Sequence, residues 1–433
     1  MRKDERGAVF VQVTVCLLAL LSISAIVVDK GVMWVSRAQA QNAADAAALA
    51  AMQTLTFESA PDIANLKGKA QVVAQQVGLR NKVWGAAPDI QLTDVTFPNC
   101  PPTLNWSTSE TCVQVDVYRN QLRGNPLPTF FAKLVGVTEQ GVRAVAVGRA
   151  VAANASKCMK PWAVGDKWLD TQAGGWTQTS TFDAAAGDVY TPPTATDPGT
   201  GFSENDGGDP PLPTYKGYQM VLKLANPGLG ANEIPVNSAG WAAELDLNNP
   251  DANGGQAAYG ANITGCTSDT VVMSPPGSGP CTAVDPSKGC LAVRTGSGGA
   301  TNSKAVADYI AANDPGARWE EPDDPVNGWK SGQIVNNAET PSSRIIPVAV
   351  FDVPQYLAQG YTGQNGIIRV VKILGFFLEG TCQTVTKLET YAKCPGGGND
   401  KSAIVGRMVN YPGLSVSNTT TAGSFGTHIV LVR

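Results

Sequence analysis

Residues Ala8–Val28 read AVFVQVTVCLLALLSISAIVV, an apolar run without a charged side chain, interrupted only by Gln12, Thr14, Ser22 and Ser24. At about 1.5 Å rise per residue, a helix of this length matches a hydrocarbon layer about 30 Å thick, so the sequence predicts one membrane-spanning helix. Arg2, Lys3 and Arg6 precede the run, and the positive-inside tendency then puts the N-terminus in the cytoplasm and the remainder across the membrane. Asp4 and Glu5 soften that contrast. The competing reading is a cleaved signal peptide. Its apolar region is ordinarily about 7–15 residues, and the small residues Ala38–Ala40 lie beyond Asp29, Lys30 and Arg37, a poor place for cleavage.

The helical pattern continues past the span through Val32, Trp34, Val35, Ala38, Leu49 and Met52, with no proline before Pro61, so the helix is expected to reach about Phe57. Within it, Asn42–Met52 reads NAADAAALAAM. Alanine favours helix on its own account. Small side chains also let a second backbone approach closely, and a partner protein is the expected occupant, with an intramolecular contact as the alternative.

These residues, in order, resemble the TadE/TadG-like proteins of Flp (tight-adherence) pilus assembly. The resemblance rests on Arg6-Gly7-Ala8 before the apolar run, Val28-Asp29 and Gly31 at its end, then Arg37, Gln41 and the stretch Ala43–Ala50 around Asp45. It covers about fifty residues. It implies a bitopic bacterial inner-membrane protein, with its C-terminal part periplasmic or extracellular. Its partners would be other Tad pilus-assembly proteins, and its role structural, pseudopilin-like or minor pilin-like, without enzymatic activity. Cys158–Trp162 and Tyr259–Cys266 also look like stretches of larger members. Two features depart from the family. Processed pilins carry Glu followed by an aromatic residue five positions after the glycine, whereas here Gly7 is followed by Gln12 and Val13, which argues against processing after Gly7. The DxSxS stretch of a von Willebrand A module, found in some TadG-like proteins, does not occur.

The rest of the chain is read as α+β. A length of 433 residues exceeds what one core usually organises, and we expect an anchor helix over 1–57, a small α+β unit over 58–154 and a larger, mostly β part over 155–433. Only 16% of residues are charged, while 46 Gly and 29 Pro suit a turn-rich extracytoplasmic protein. Net charge is −4, with no Lys/Arg block beyond the N-terminus, which excludes nucleic acid as a partner class.

An amphipathic helix is expected at Pro61–Leu79 and a short one at Phe130–Val135. Strands are expected at Ile90–Phe97, Cys112–Tyr118, Val142–Val151, Gln219–Leu224, Arg344–Phe351, Ile367–Leu378, Ala403–Asn410 and His428–Arg433. Asn302–Ala312 suits another helix, and Trp162–Tyr215 a long irregular loop. Cys16 lies inside the span. The eight others suit disulfides in an oxidising compartment, with short separations favouring Cys100–Cys112, Cys281–Cys290 and Cys382–Cys394 and leaving Cys158 with Cys266.

Little points to catalysis or a cofactor. The single histidine, His428, would have to serve any imidazole-dependent nucleophile, and a structural place near a strand end is the plainer reading. Glu320, Glu321, Asp323 and Asp324 beside Trp319 and Trp329 could line a sugar cleft, although adjacent carboxylates in a Pro-rich loop are usually solvated. Asp246, Asn248, Asp251 and Asn253 offer oxygen ligands for calcium, but Pro250 breaks the EF-hand pattern. Gly296–Gly299 lacks the Lys of a phosphate loop and reads as a turn. A membrane-displayed binding module or hydrolase is the alternative function.

Overall fold

The computed structural model describes residues 5–57, 63–100, 112–172, 175–178, 180–194, 197, 199–202, 217–224, 241–247, 255–275, 277–294, 299–320, 333–338, 341–359, 366–394, 402–414 and 425–432. It divides into two compact units. The first comprises Met1–Leu55, Ile63–Ala150 and Ile429–Arg433, and the second Thr56–Asp62 and Val151–His428.

The first unit is organised by helix α1, Glu5–Phe57. Its large apolar side chains from Val9 to Val28 are all exposed, and the helix is long and apolar enough to cross a membrane. At Asp29 the pattern changes. Asp29, Val32, Ser36, Ala40, Ala43, Ala44, Ala47, Ala48, Ala51 and Met52 are buried, a spacing of three and four that marks one helix face.

That face packs on helix α2, Ile63–Arg80, and on a sheet of strands β1 (Val95–Thr96), β2 (Val113–Arg119) and β3 (Val142–Ala152). β2 pairs antiparallel with both neighbours, Val95 opposite Val115 and Val115 opposite Ala146. Alternate residues Val113, Val115 and Val117 of β2, and Val142, Ala144 and Ala146 of β3, face the alanines, as a period of two requires. Gly148 in β3 permits the closest approach: a Cβ there would meet the Ala48 carbonyl oxygen at 2.8 Å. The alanine stretch therefore packs within its own unit and not, at this face, on a partner.

Ile90–Phe97 is not one strand. The Asp94 carboxylate accepts the Gln91 amide at 2.8 Å and winds Leu92–Asp94 into a 3-10 turn, leaving Val95–Thr96 to pair. Cys100 and Cys112 are joined by a disulfide.

The second unit is built on a sheet whose strands are β4 (Trp162–Gly165), β5 (Gln219–Leu224), β6 (Trp241–Asp246), β7 (Cys290–Arg294), β8 (Ile345–Phe351), β9 (Ile367–Thr381) and β10 (Ile404–Val409). Pairing runs β9–β8–β4–β6–β5–β10 and returns to β9, so it closes on itself, while β7 joins both β9 and β6. Closure leaves these strands without free edges. Trp162, Phe351, Phe376, Phe377, Met220 and Met408 are buried in its core. Helices α3 (Gly255–Thr264), α4 (Gly299–Ala312) and α5 (Val353–Ala358) accompany the sheet. The last strand, Gly426–Val432, contains His428 and pairs through Gly426 with Tyr411.

Of the irregular loop expected over Trp162–Tyr215, residues 203–215 lie outside the described residues, and the described residues from Asp166 to Phe202 are largely irregular but carry buried aromatic side chains. Trp162–Gly165 is a strand of the closed sheet, and Trp168, Trp176 and Phe202 are buried, with Trp176 edge-on to Trp168 at 6.4 Å and to Phe202 at 5.5 Å. The unit also holds disulfides Cys158–Cys266, Cys281–Cys290 and Cys382–Cys394.

Candidate functional site

The point where α1 stops being exposed all round is the most specialised junction in the first unit. The 3-10 turn Ala132–Val135 begins at Phe131, a residue with no side-chain acceptor to cap its amides. Asp29 supplies one from a hundred residues earlier. Its carboxylate accepts from the amides of Phe130 at 2.7 Å, Phe131 at 3.1 Å and Ala132 at 2.6 Å. The Phe130 amide leads in holding the Asp29 carboxyl below its ordinary range, against the opposing effect of burial, and the Ala132 and Phe131 amides and Lys133 add to it.

Further along α1, Gln39 Oε1 accepts the Trp84 amide at 2.7 Å. Gln41 Nε2 donates to the Val145 carbonyl at 3.0 Å and to Asp45 Oδ1 at 2.8 Å. Side chains of α1 thus reach three separate backbone segments. The arrangement holds no nucleophile with an adjacent base; what it can do is fix the folded unit rigidly to the end of the apolar helix.

Residues 7–54 match the TadE/G-like Flp pilus-assembly family. The likeness to that family is carried by the N-terminal helix. The matched segment lies entirely within α1. No curated protein and no solved structure matches the chain.

Among the TadE/G-like residues, Asp29, Gln41 and Asp45 are drawn together by one folded unit. Gln12 and Arg37 are exposed, and Gly7 lies in the first turn of α1. A Cβ at Gly31 would meet nothing, so nothing in the structure explains glycine there. Sequence reasoning missed Phe130–Ala132, Gln39 and Trp84. The available signal was Asp29 itself, a carboxylate at the edge of an apolar span with no neighbour to neutralise it except Lys30.

Asp29→Ala should leave the three amides at 130–132 without their acceptor and raise their hydrogen-exchange rates several-fold, with Asp29→Asn intermediate because it keeps one acceptor oxygen. Unchanged exchange at those amides, with Val117 as the internal reference, would refute the capping role.

In the second unit, the segments Cys158–Trp162 and Tyr259–Cys266 meet. Cys158 is bonded to Cys266, Lys160 Nζ donates to the carbonyls of Ile263 and Gly265 at 2.8 Å each, and Trp162 Nε1 donates to the Tyr259 hydroxyl at 2.8 Å. Burial pulls the Lys160 ammonium down to about 8, while the Tyr309 ring lies 4.3 Å from Nζ. These contacts are those of a structural staple. Of the acidic cluster only Glu320 is described, and it pairs with Arg318 at 3.8 Å; Glu321, Asp323, Asp324 and Trp329 lie outside the described residues. Of the oxygen-ligand loop only Asp246 is described, within β6.

Proposed function

We propose that the chain is a membrane-anchored structural component of Flp pilus assembly, without enzymatic activity, that works beside the pilus subunits in a pseudopilin-like or minor pilin-like way. Its N-terminus is cytoplasmic, its span lies in the bacterial inner membrane, and both folded units are on the far side. One observation carries this reading. The family-matched helix is divided at Asp29 into a half exposed on every side and a half whose inner face is covered by its own unit. The exposed half is then the surface left for other transmembrane helices. Gln12 in place of a charged residue favours a protein that stays in the membrane over one that polymerises.

A photo-crosslinker at Leu17 or Leu21, both exposed, tests this in native membranes. The expected result is capture of another pilus-assembly protein through the span. Capture of lipid alone at both positions would overturn the proposal and favour an anchor that merely displays a binding module or hydrolase. The same crosslinker within Asn42–Met52 would report contacts inside the protein instead.

A further inference from the structure

The first unit carries exposed apolar and aromatic side chains at the level where its helix leaves the apolar run. Phe130 and Phe131 are 47% and 42% exposed, Val137 is 50% exposed, and Trp84 stands edge-on to Phe130 with ring centroids 6.5 Å apart. Their height is set by Asp29. The amides of Phe130, Phe131 and Ala132 bond to the first residue after the span at 2.6–3.1 Å, so this turn cannot lie far from the edge of the hydrocarbon.

On α1 itself Trp34 is 80% exposed, six residues past Val28, or about 9 Å along the axis. Helical side chains lean toward the N-terminus, which carries the Trp34 indole back toward a headgroup layer that extends roughly 5–8 Å beyond the hydrocarbon. Exposed cations accompany the rings: Lys30 and Arg37 on α1, Lys82 beside Trp84, and Lys133 within the turn. Amphipathic rings and long basic side chains are the residues that settle at a lipid headgroup boundary.

We propose that Phe130, Phe131, Val137, Trp84 and Trp34 form a lipid seat, a surface that rests in the headgroup layer of the bilayer crossed by the same helix. Continuity decides the occupant, because a bilayer around Ala8–Val28 is already at the Asp29 turn before any other partner arrives. The proposal rests on the membrane-anchor reading above, and its test separates the two.

The full chain, carrying Cys16→Ser so that its only free thiol is an introduced one, is reconstituted in phosphatidylethanolamine–phosphatidylglycerol vesicles. An environment-sensitive fluorophore is placed in turn at Leu18→Cys, Val137→Cys and Val72→Cys, and quenched by lipids with nitroxides at shallow or deep positions. Val72 is the distant reference: Gly78 packs on Ala47 and Trp84 bonds Gln39, so α2 runs antiparallel to α1 and puts Val72 more than about 27 Å beyond Asp29.

The expected result is deep quenching at position 18, shallow quenching at 137 several-fold above that at 72, and a fall at 137 toward the reference when Phe130→Ser and Phe131→Ser are added. A label at 137 that behaves like the one at 72, while position 18 is quenched, overturns the seat and leaves the anchor standing. Shallow quenching at 137 that is undiminished by the serine pair also overturns it. An unquenched label at 18 overturns the anchor, and the seat with it.

Discussion

Replacing Cys158 and Cys266 by serine should destabilise the second unit by about 4–5 kcal/mol, the entropy a bridge removes from an unfolded loop of roughly a hundred residues. The two cysteines are 108 positions apart, whereas Cys281 and Cys290 are separated by 9, and serine at the latter pair should cost only about 2–3 kcal/mol. The Cys158–Cys266 bridge also holds Lys160 against the Ile263 and Gly265 carbonyls and Trp162 against Tyr259, so its loss loosens a buried polar cluster as well. Denaturant midpoints of the full chain in detergent, followed by tryptophan fluorescence, measure both variants; Trp162, Trp168 and Trp176 are buried reporters. Equal losses for the two pairs would contradict the loop-length argument.

Lys372→Met should cost a similar amount, about 3–5 kcal/mol, for a different reason. Lys372 in β9 and Asp166 after β4 are both fully buried, with Nζ and Oδ2 3.3 Å apart. Lys372 also donates to the Phe202 carbonyl at 2.7 Å, while Asp166 accepts from the Phe202 amide at 2.8 Å and the Tyr190 hydroxyl at 3.0 Å. Burial first, and Asp166 second, push the Tyr190 phenol well above its ordinary range, so it serves as a neutral donor. Methionine keeps the volume of Lys372 but leaves a carboxylate with no counter-charge. Lys372→Met combined with Asp166→Leu removes both charges and should recover much of the loss in the same unfolding assay. A double variant no better than Lys372→Met would mean that packing, not charge, carries the effect.

The long elements were readable because their patterns are strong. The apolar span, the helix to Phe57, and the strands around Gln219–Leu224, Ile345–Phe351 and Ile404–Val409 all follow from periodicity or β-branched runs. What failed did so where local pattern and tertiary demand diverge. Trp162–Gly165, Trp241–Asp246 and Cys290–Arg294 are short and carry Ala, Gly or Cys, and they become strands because the closed sheet pairs them on both sides. Arg369 and Lys372 interrupt an apolar strand, both are buried, and each has a carboxylate, Asp352 and Asp166, brought from elsewhere. At the junction, the importance of Asp29 was visible as part of a motif, but its partners were not. Backbone amides leave no mark in a sequence, and Phe130–Ala132 lies a hundred residues away.

The unbroken course of α1 has a mechanical consequence. Fifty-three residues of helix make a rod about 80 Å long, with no proline to act as a joint between the apolar end and the alanine face clasped by β2, β3 and α2. A span that tilts to match a thinner bilayer must therefore swing the whole first unit through the same angle, as a mast carries its rigging. Bilayer thickness then sets the posture of that unit above the surface, and changes in lipid composition would reach it without any ligand.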